Sequence, residues 1–252
     1  MAIGYVGGQI AGFLGTTSAQ TINFSLTGGL ASAPAADDLV VIGYCIGSTV
    51  ARFPAIRNTS AVDYTTAGAK ITVADTFDVT LLVAYRLMPS TPETQFVLTE
   101  TVGGGTGNIA DAGHWTVHVF RGVDSTVIDA AVVTASAASS RVANPGAITP
   151  LTAGAWVYAC GGAASATGGV YTALQLVDFR AGTTADTNDA QIGAGFRPWT
   201  TGALDLAAFA GGGTTTTSDS WAAVTMAMKP AADAAPGGGG GMRMAGYGGL
   251  AA

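Results

Sequence analysis

Two histidines, His114 and His118, lie four apart in HWTVHVFRGV, a run whose alternation predicts a β-strand. Four residues of strand put them on one face but about 13 Å apart, too far for one metal ion. They read as structural or surface histidines. The short acidic run Asp186-Thr187-Asn188-Asp189 has the look of a calcium loop. It lacks the full EF-hand spacing and a bidentate Glu, so a capped turn is the simpler reading. GGGTG at 103–107 is not followed by Lys-Ser/Thr and opens no helix, so it is no phosphate loop. There is no G-x-S-x-G elbow, and the two glutamates, Glu93 and Glu100, leave little for paired-carboxylate catalysis. Trp115, Trp156 and Trp221 fall inside predicted strands and read as core. Trp199 follows Pro198 in a predicted loop and is the tryptophan placed to stack on a sugar ring. Trp199, Asp186 and Asp189 are therefore the candidate ligand-binding residues. No catalytic residue, metal site or cofactor is expected.

Bulk composition narrows the partners. Charged residues make up 10% of 252 residues, against the roughly 25% of an ordinary soluble domain. Such a surface is weakly solvated and suits packing into an assembly. The net charge is −6, with Lys70 and Lys229 the two lysines and eight scattered arginines. There is no basic stripe for a phosphate backbone or an anionic membrane. Cys45 and Cys160 sit in apolar runs, GYCIG and VYACGG, and read as buried free thiols. A disulfide between them would require their strands to be neighbours. The N-terminal run MAIGYVGGQIAGFLG is apolar but lacks a basic leader and is broken by glycines. It resembles neither a secretion signal nor a membrane span.

The elements that must position these residues are strands. Leu39–Ile46, LVVIGYCI, is continuously apolar and fits a strand buried on both faces. Residues 20–26, 70–73, 78–87, 94–99, 114–121, 127–134, 155–160, 171–179, 189–196 and 220–228 add further strands. Met88-Pro89 ends one of them because proline donates no ladder bond. In 114–121, Trp115, Val117 and Val119 face one way, and His114, Thr116, His118 and Phe120 the other. In 220–228, Trp221, Ala223, Thr225 and Ala227 oppose Ala222, Val224, Met226 and Met228. Residues 51–68 read as a loop with a short strand at 63–66. No stretch holds a 3.6-residue period. The expectation is an all-β, antiparallel, jelly-roll-like β-sandwich at 16–230, with an extended N-terminal arm at 1–15. A Gly-rich C-terminal tail follows at 231–252. The arm is expected to pack on a sheet or on a neighbouring subunit. The tail's composition predicts disorder in isolation, and its Met242, Arg243, Met244, Tyr247 and Leu250 offer side chains for a partner's groove.

Phe120–Asp124 (FRGVD), Ile148–Tyr158 (ITPLTAGAWVY) and Trp221–Pro230 (WAAVTMAMKP), with VAYRLMP upstream, resemble a group of β-sandwich virion proteins of tailed bacteriophages and prophages. The likeness covers most of 16–230. Its motifs are structural and bring no catalytic residues. It implies a non-enzymatic virion structural protein made in the host cytoplasm: a tail-fibre or tail-tip module, or a capsid decoration. Other virion proteins and further copies of the chain would be its partners. The alternative is a carbohydrate-binding module that recognises host surface glycan.

Overall fold

The computed structural model describes residues 1–14, 19–48, 52–75, 78–102, 112–138, 140, 142–165, 169–173, 175–184, 189–211 and 219–232. The Gly-rich stretch 233–252 lies outside them, as does Asp186. The first half of the chain supplies nine strands. They are β1 (Gly4–Leu14), β2 (Ala19–Asn23), β3 (Leu39–Ser48), β4 (Arg52–Arg57), β5 (Thr65–Thr66), β6 (Ile71–Val73), β7 (Asp78–Leu87), β8 (Gln95–Val102) and β9 (Ala112–Arg121). The second half supplies β10 (Val123–Ala137), β11 (Trp156–Ser165), β12 (Tyr171–Thr172), β13 (Val177–Thr184), β14 (Asp189–Pro198), β15 (Ala210–Gly211) and β16 (Trp221–Pro230).

The protein is an all-β, antiparallel sandwich. One principal sheet runs β1-β9-β3-β7, with β5 and β6 on the far edge of β7. The facing sheet runs β10-β16-β11-β14-β13. The first half of the chain thus completes one sheet before the second half builds the other, with the turn between them at Gly122 (φ 78°). A three-stranded sheet, β2-β8-β4, covers the outer face of the first.

This layering explains the composition of β3. All ten of its residues are buried. Val40, Ile42, Tyr44 and Ile46 join Phe96, Leu98 and Ile56 of the covering sheet in one core. Leu39, Val41 and Cys45 face the opposite sheet and meet Tyr158, Cys160, Ile192 and Val224. A strand with cover on both sides reads as an unbroken apolar run even when its neighbours are antiparallel. In β9 the alternation falls as expected: Trp115, Val117 and Val119 enter the outer core, while Phe120 enters the inter-sheet core. In β16, Ala222, Val224, Met226 and Met228 point inward. Trp221, Ala223 and Ala227 point outward into a third core, closed by Ala143, Ile148, Leu176, Leu206 and Phe209 from the connecting segments.

Several local expectations are corrected. Residues 52–57, read as loop because of Arg52, Pro54 and Arg57, form β4. It lies on the edge of its sheet, the place where a proline can leave its ladder position without breaking a central pairing. The stretch 171–179 is not one strand. It breaks at a turn closed by Leu176 N–H on Ala173 O (3.2 Å), leaving β12 and β13 in different sheets. The 127–134 strand is longer, Val123–Ala137, and carries three register shifts. The N-terminal segment is built into the sandwich of its own chain: β1 pairs with β9 from Gly4↔Arg121 to Leu14↔Ala112.

Candidate functional site

Strand register gives the sandwich two chemically different ends. At one end, Leu14 and Gly47 both pair with Ala112, and Ser48 pairs with Asp78. Ser165 pairs with Asp189, and Trp221 with Ala137 and Ala163. Val79 N–H donates to Ser220 Oγ (3.1 Å) and Thr184 Oγ1 to Gly113 O (3.1 Å), tying the two principal sheets together there. The connections leaving these strand ends are sequences such as GTTS, GGGTGNIAD, ADTN and GGTTTTS, which lie outside the described residues. At the other end, Gly4 lies beside Arg121 and Trp156 beside both Pro198 and Met228. The chain enters and leaves the sandwich there: the Met1 amine donates to Ala231 O (2.8 Å), and Ala231 N–H donates to Gly122 O (2.8 Å).

The loop end rests on buried polar side chains. Ser48, Arg52, Asp78, Glu100, His114, Gln191, Asp219 and Ser220 are all buried, within three residues of a strand end. Arg52 Nε donates to Ser48 Oγ (3.1 Å), and Asp78 Oδ1 accepts from Asp75 N–H (2.8 Å). Burying a polar group costs least where a hydrogen-bond partner meets it, as for Arg52 and Asp78 here. The eight residues lie close to where the connections begin and end. Among the described residues, no group of three His, Cys, Asp or Glu is placed to hold a metal ion.

The sequence-derived ligand residues are not gathered into one site. Trp199 follows β14 at the entry end, whereas Asp189 begins the same strand at the loop end. Ten extended residues separate them, about 33 Å. Trp199 is half-buried against the third core, and its indole N–H donates to Gly202 O (2.8 Å). Its role in the described structure is the one the other three tryptophans have, packing. Asp186 falls in the ADTN connection outside the described residues.

His118 and His114 are core residues. His118 is fully buried between the sheets, edge-on to Tyr158 with centroids 5.4 Å apart, and its Nε2 lies 3.0 Å from Asp178 O. Burial pushes the pKa of each histidine down to about 4, partly opposed by backbone hydrogen bonds. Cys45 and Cys160 are free thiols in the inter-sheet core, and burial holds both far above the range in which a thiolate forms.

One polar cluster spans both principal sheets and was invisible in sequence. Tyr5 of β1 donates its hydroxyl to Asp178 Oδ2 of β13. Arg180 Nε donates to the same oxygen (2.8 Å), and its Nη2 to Thr27 O (2.7 Å) and Tyr5 Oη (3.2 Å). Burial, then the bond to Asp178, pushes the Tyr5 phenol well up, so it remains a proton donor. Gly8 makes room: a side chain there would put its Cβ 2.4 Å from Arg180 Nε. Asp178 holds a left-handed φ of 43°, a conformation Asp tolerates better than most residues. Tyr5 and Arg180 lie 175 residues apart, so no local spacing announces them. The cluster latches the edge of one sheet to the edge of the other. Asp178→Ala is expected to lower unfolding free energy by about 2 kcal/mol, because it takes the carboxylate away from a partly buried guanidinium and a phenol. Chemical denaturation checks this. A loss under about 0.5 kcal/mol would mean the latch does not hold the sheets.

Outside the inter-sheet core, a cleft of about 280 Å³ opens between Leu176, Leu206 and Phe209, with Thr172 and Gln175 its polar side chains. The Gln175 side-chain oxygen is occupied by Ala207 N–H (2.9 Å), and among the described residues no titratable side chain lines the cleft. No family model, curated protein or solved structure matches this chain.

Proposed function

We propose that this chain is a non-enzymatic structural protein of a bacteriophage virion, a tail-fibre, tail-tip or capsid-decoration module. The observation that carries the reading is the separation of the two ends. The chain enters and leaves at one end, and a glycine-rich sequence of low charge follows Ala232 there. The connections rich in Gly, Thr and Ser spring from the strand ends opposite. A rigid sandwich of this kind suits attachment through one end and display of the other. The low charge of the whole chain suits extensive burial against neighbours. The resemblance of FRGVD, ITPLTAGAWVY and WAAVTMAMKP to phage β-sandwich proteins points the same way.

The test is to purify particles from the host that carries this gene and to probe them for the chain. It is expected as a component of intact particles, with residues 233–252 protected from protease and the 103–111 connection accessible. A chain found only in the soluble lysate overturns the proposal. Glycan recognition is the second reading; Trp199, half-buried and hydrogen-bonded, does not favour it.

A further inference from the structure

We infer that the outer edge of β10 is a self-association surface, pairing antiparallel with the β10 edge of a second copy of this chain. An edge strand offers a row of unpaired N–H and C=O groups, and folded proteins guard such rows with bulges, charge, proline, shortness or a covering segment. The other principal edges here carry such guards. The outer side of β1 is covered by the following segment, through Gly8 N–H on Thr27 O (3.0 Å), Thr27 N–H on Gly8 O (2.8 Å) and Ala31 N–H on Val6 O (3.0 Å). The β13 edge has a register shift between Val177 and Arg180 and carries the Asp178–Arg180 ion pair. The β4 edge holds Arg52, Pro54 and Arg57. Beside β7 lie only the two and three residues of β5 and β6.

β10 differs. It is 15 residues long and ends its sheet. Its register shifts stop at Val133, and from Val133↔Thr225 to Ala137↔Trp221 the pairing with β16 is regular. Residues 130–140, AAVVTASAASS, contain no charge and no proline. Among the described residues, no backbone group of 124–137 bonds to a segment beyond β16. Asp129, which could have guarded the edge, is buried and accepts Leu151 N–H (2.5 Å) and Thr152 N–H (3.0 Å) instead.

The strand is its own best partner. Two copies related by a two-fold axis would set uncharged residues opposite uncharged residues, and Thr134 and Ser136, both exposed, can pair across the joint. The chain's glycine-rich 233–252 stretch is a poor strand former and competes weakly for the same edge. Pairing would run two five-stranded sheets into one continuous sheet. This inference stands apart from the virion reading and survives its failure.

Sedimentation of the full chain from micromolar to millimolar concentration tests it. The native chain is expected to reach twice the monomer mass. Thr134→Lys/Ser136→Lys is expected to stay monomeric and to melt where the dilute native chain melts, since like charges would then oppose one another across the joint. Amide exchange provides the second measurement and needs no variant: protection of residues 131–137 should rise with protein concentration. A native chain that remains monomeric overturns the proposal. So does a dimer that survives both lysines, or protection of β10 that is independent of concentration and lost when 233–252 is removed.

Discussion

Acidification from pH 6.5 to pH 4 is expected to strip several kcal/mol from the stability of this protein. In the unfolded chain His114 and His118 protonate near the ordinary value of 6.5; in the folded chain burial delays protonation to about 4. Their neutral forms therefore fit the fold fully above pH 6.5. Between 6.5 and 4 the unfolded chain binds protons that the folded chain refuses, so stability falls as pH falls. Below about 4 both states are protonated and these two groups add no further loss. Each could contribute up to about 3 kcal/mol at the bottom of the window. For a chain of this size that amounts to a fall in melting temperature of about 10–20 °C for the pair. The causes differ slightly. For His118, Asp178 opposes the effect of burial and Arg180 adds to it; for His114 the opposing bond is to the Trp115 backbone. Thermal melts across pH 4–7 check this. His114→Gln/His118→Gln should flatten the profile. A native melting temperature constant through the window would show that the two imidazoles are not neutral core groups.

The second large effect lies where β3 and β11 face each other across the two principal sheets. Cys45 of β3 sits over Gly162 of β11, and Cys160 of β11 sits over Gly43 of β3. A Cβ on Gly162 would lie 2.5 Å from Cys45 Sγ and 2.9 Å from its Cβ; one on Gly43 would lie 2.6 Å from Cys160 Sγ. Both are inside contact distance, and both strands are fixed by neighbours on either side. Gly162→Ala is expected to destabilise by about 3 kcal/mol, the upper part of the range for overpacked cores. The reciprocal fit makes a sharper claim. Cys45→Ala removes the sulfur that the new methyl meets, so Gly162→Ala/Cys45→Ala should be more stable than Gly162→Ala alone. Urea unfolding of the four-member cycle measures the coupling. Additive losses would show that the glycine and the thiol do not share the contact.

These two cases mark what the sequence could reveal. The alternation in HWTVHVFR announced which faces of β9 carry Trp115 and His118, and LVVIGYCI announced a strand covered on both sides. DVTLLVAYRL gave β7 its full extent, because proline and polar residues bound it tightly. What covers β3 was not legible: periodicity records burial but not the identity of the covering layer, and β4 was disguised by its arginines and proline. The reciprocal seat of Cys45 on Gly162 needs two strands 117 positions apart to face each other. The Tyr5–Asp178–Arg180 latch is longer in range still. The candidate ligand residues Trp199 and Asp189 are parted for a related reason. They are ten positions apart in the sequence. A straight strand turns that spacing into opposite ends of the molecule.

We propose that the chain is a virion component held by its entry end and displaying its loop end. A cryo-EM map of the intact particle tests it most directly. Density for the sandwich is expected on the particle, with Met1, Gly122 and Ala231 against neighbouring subunits and the 103–111 and 212–218 connections facing solvent. Particles lacking this density, with the chain recovered free from the lysate, would contradict it.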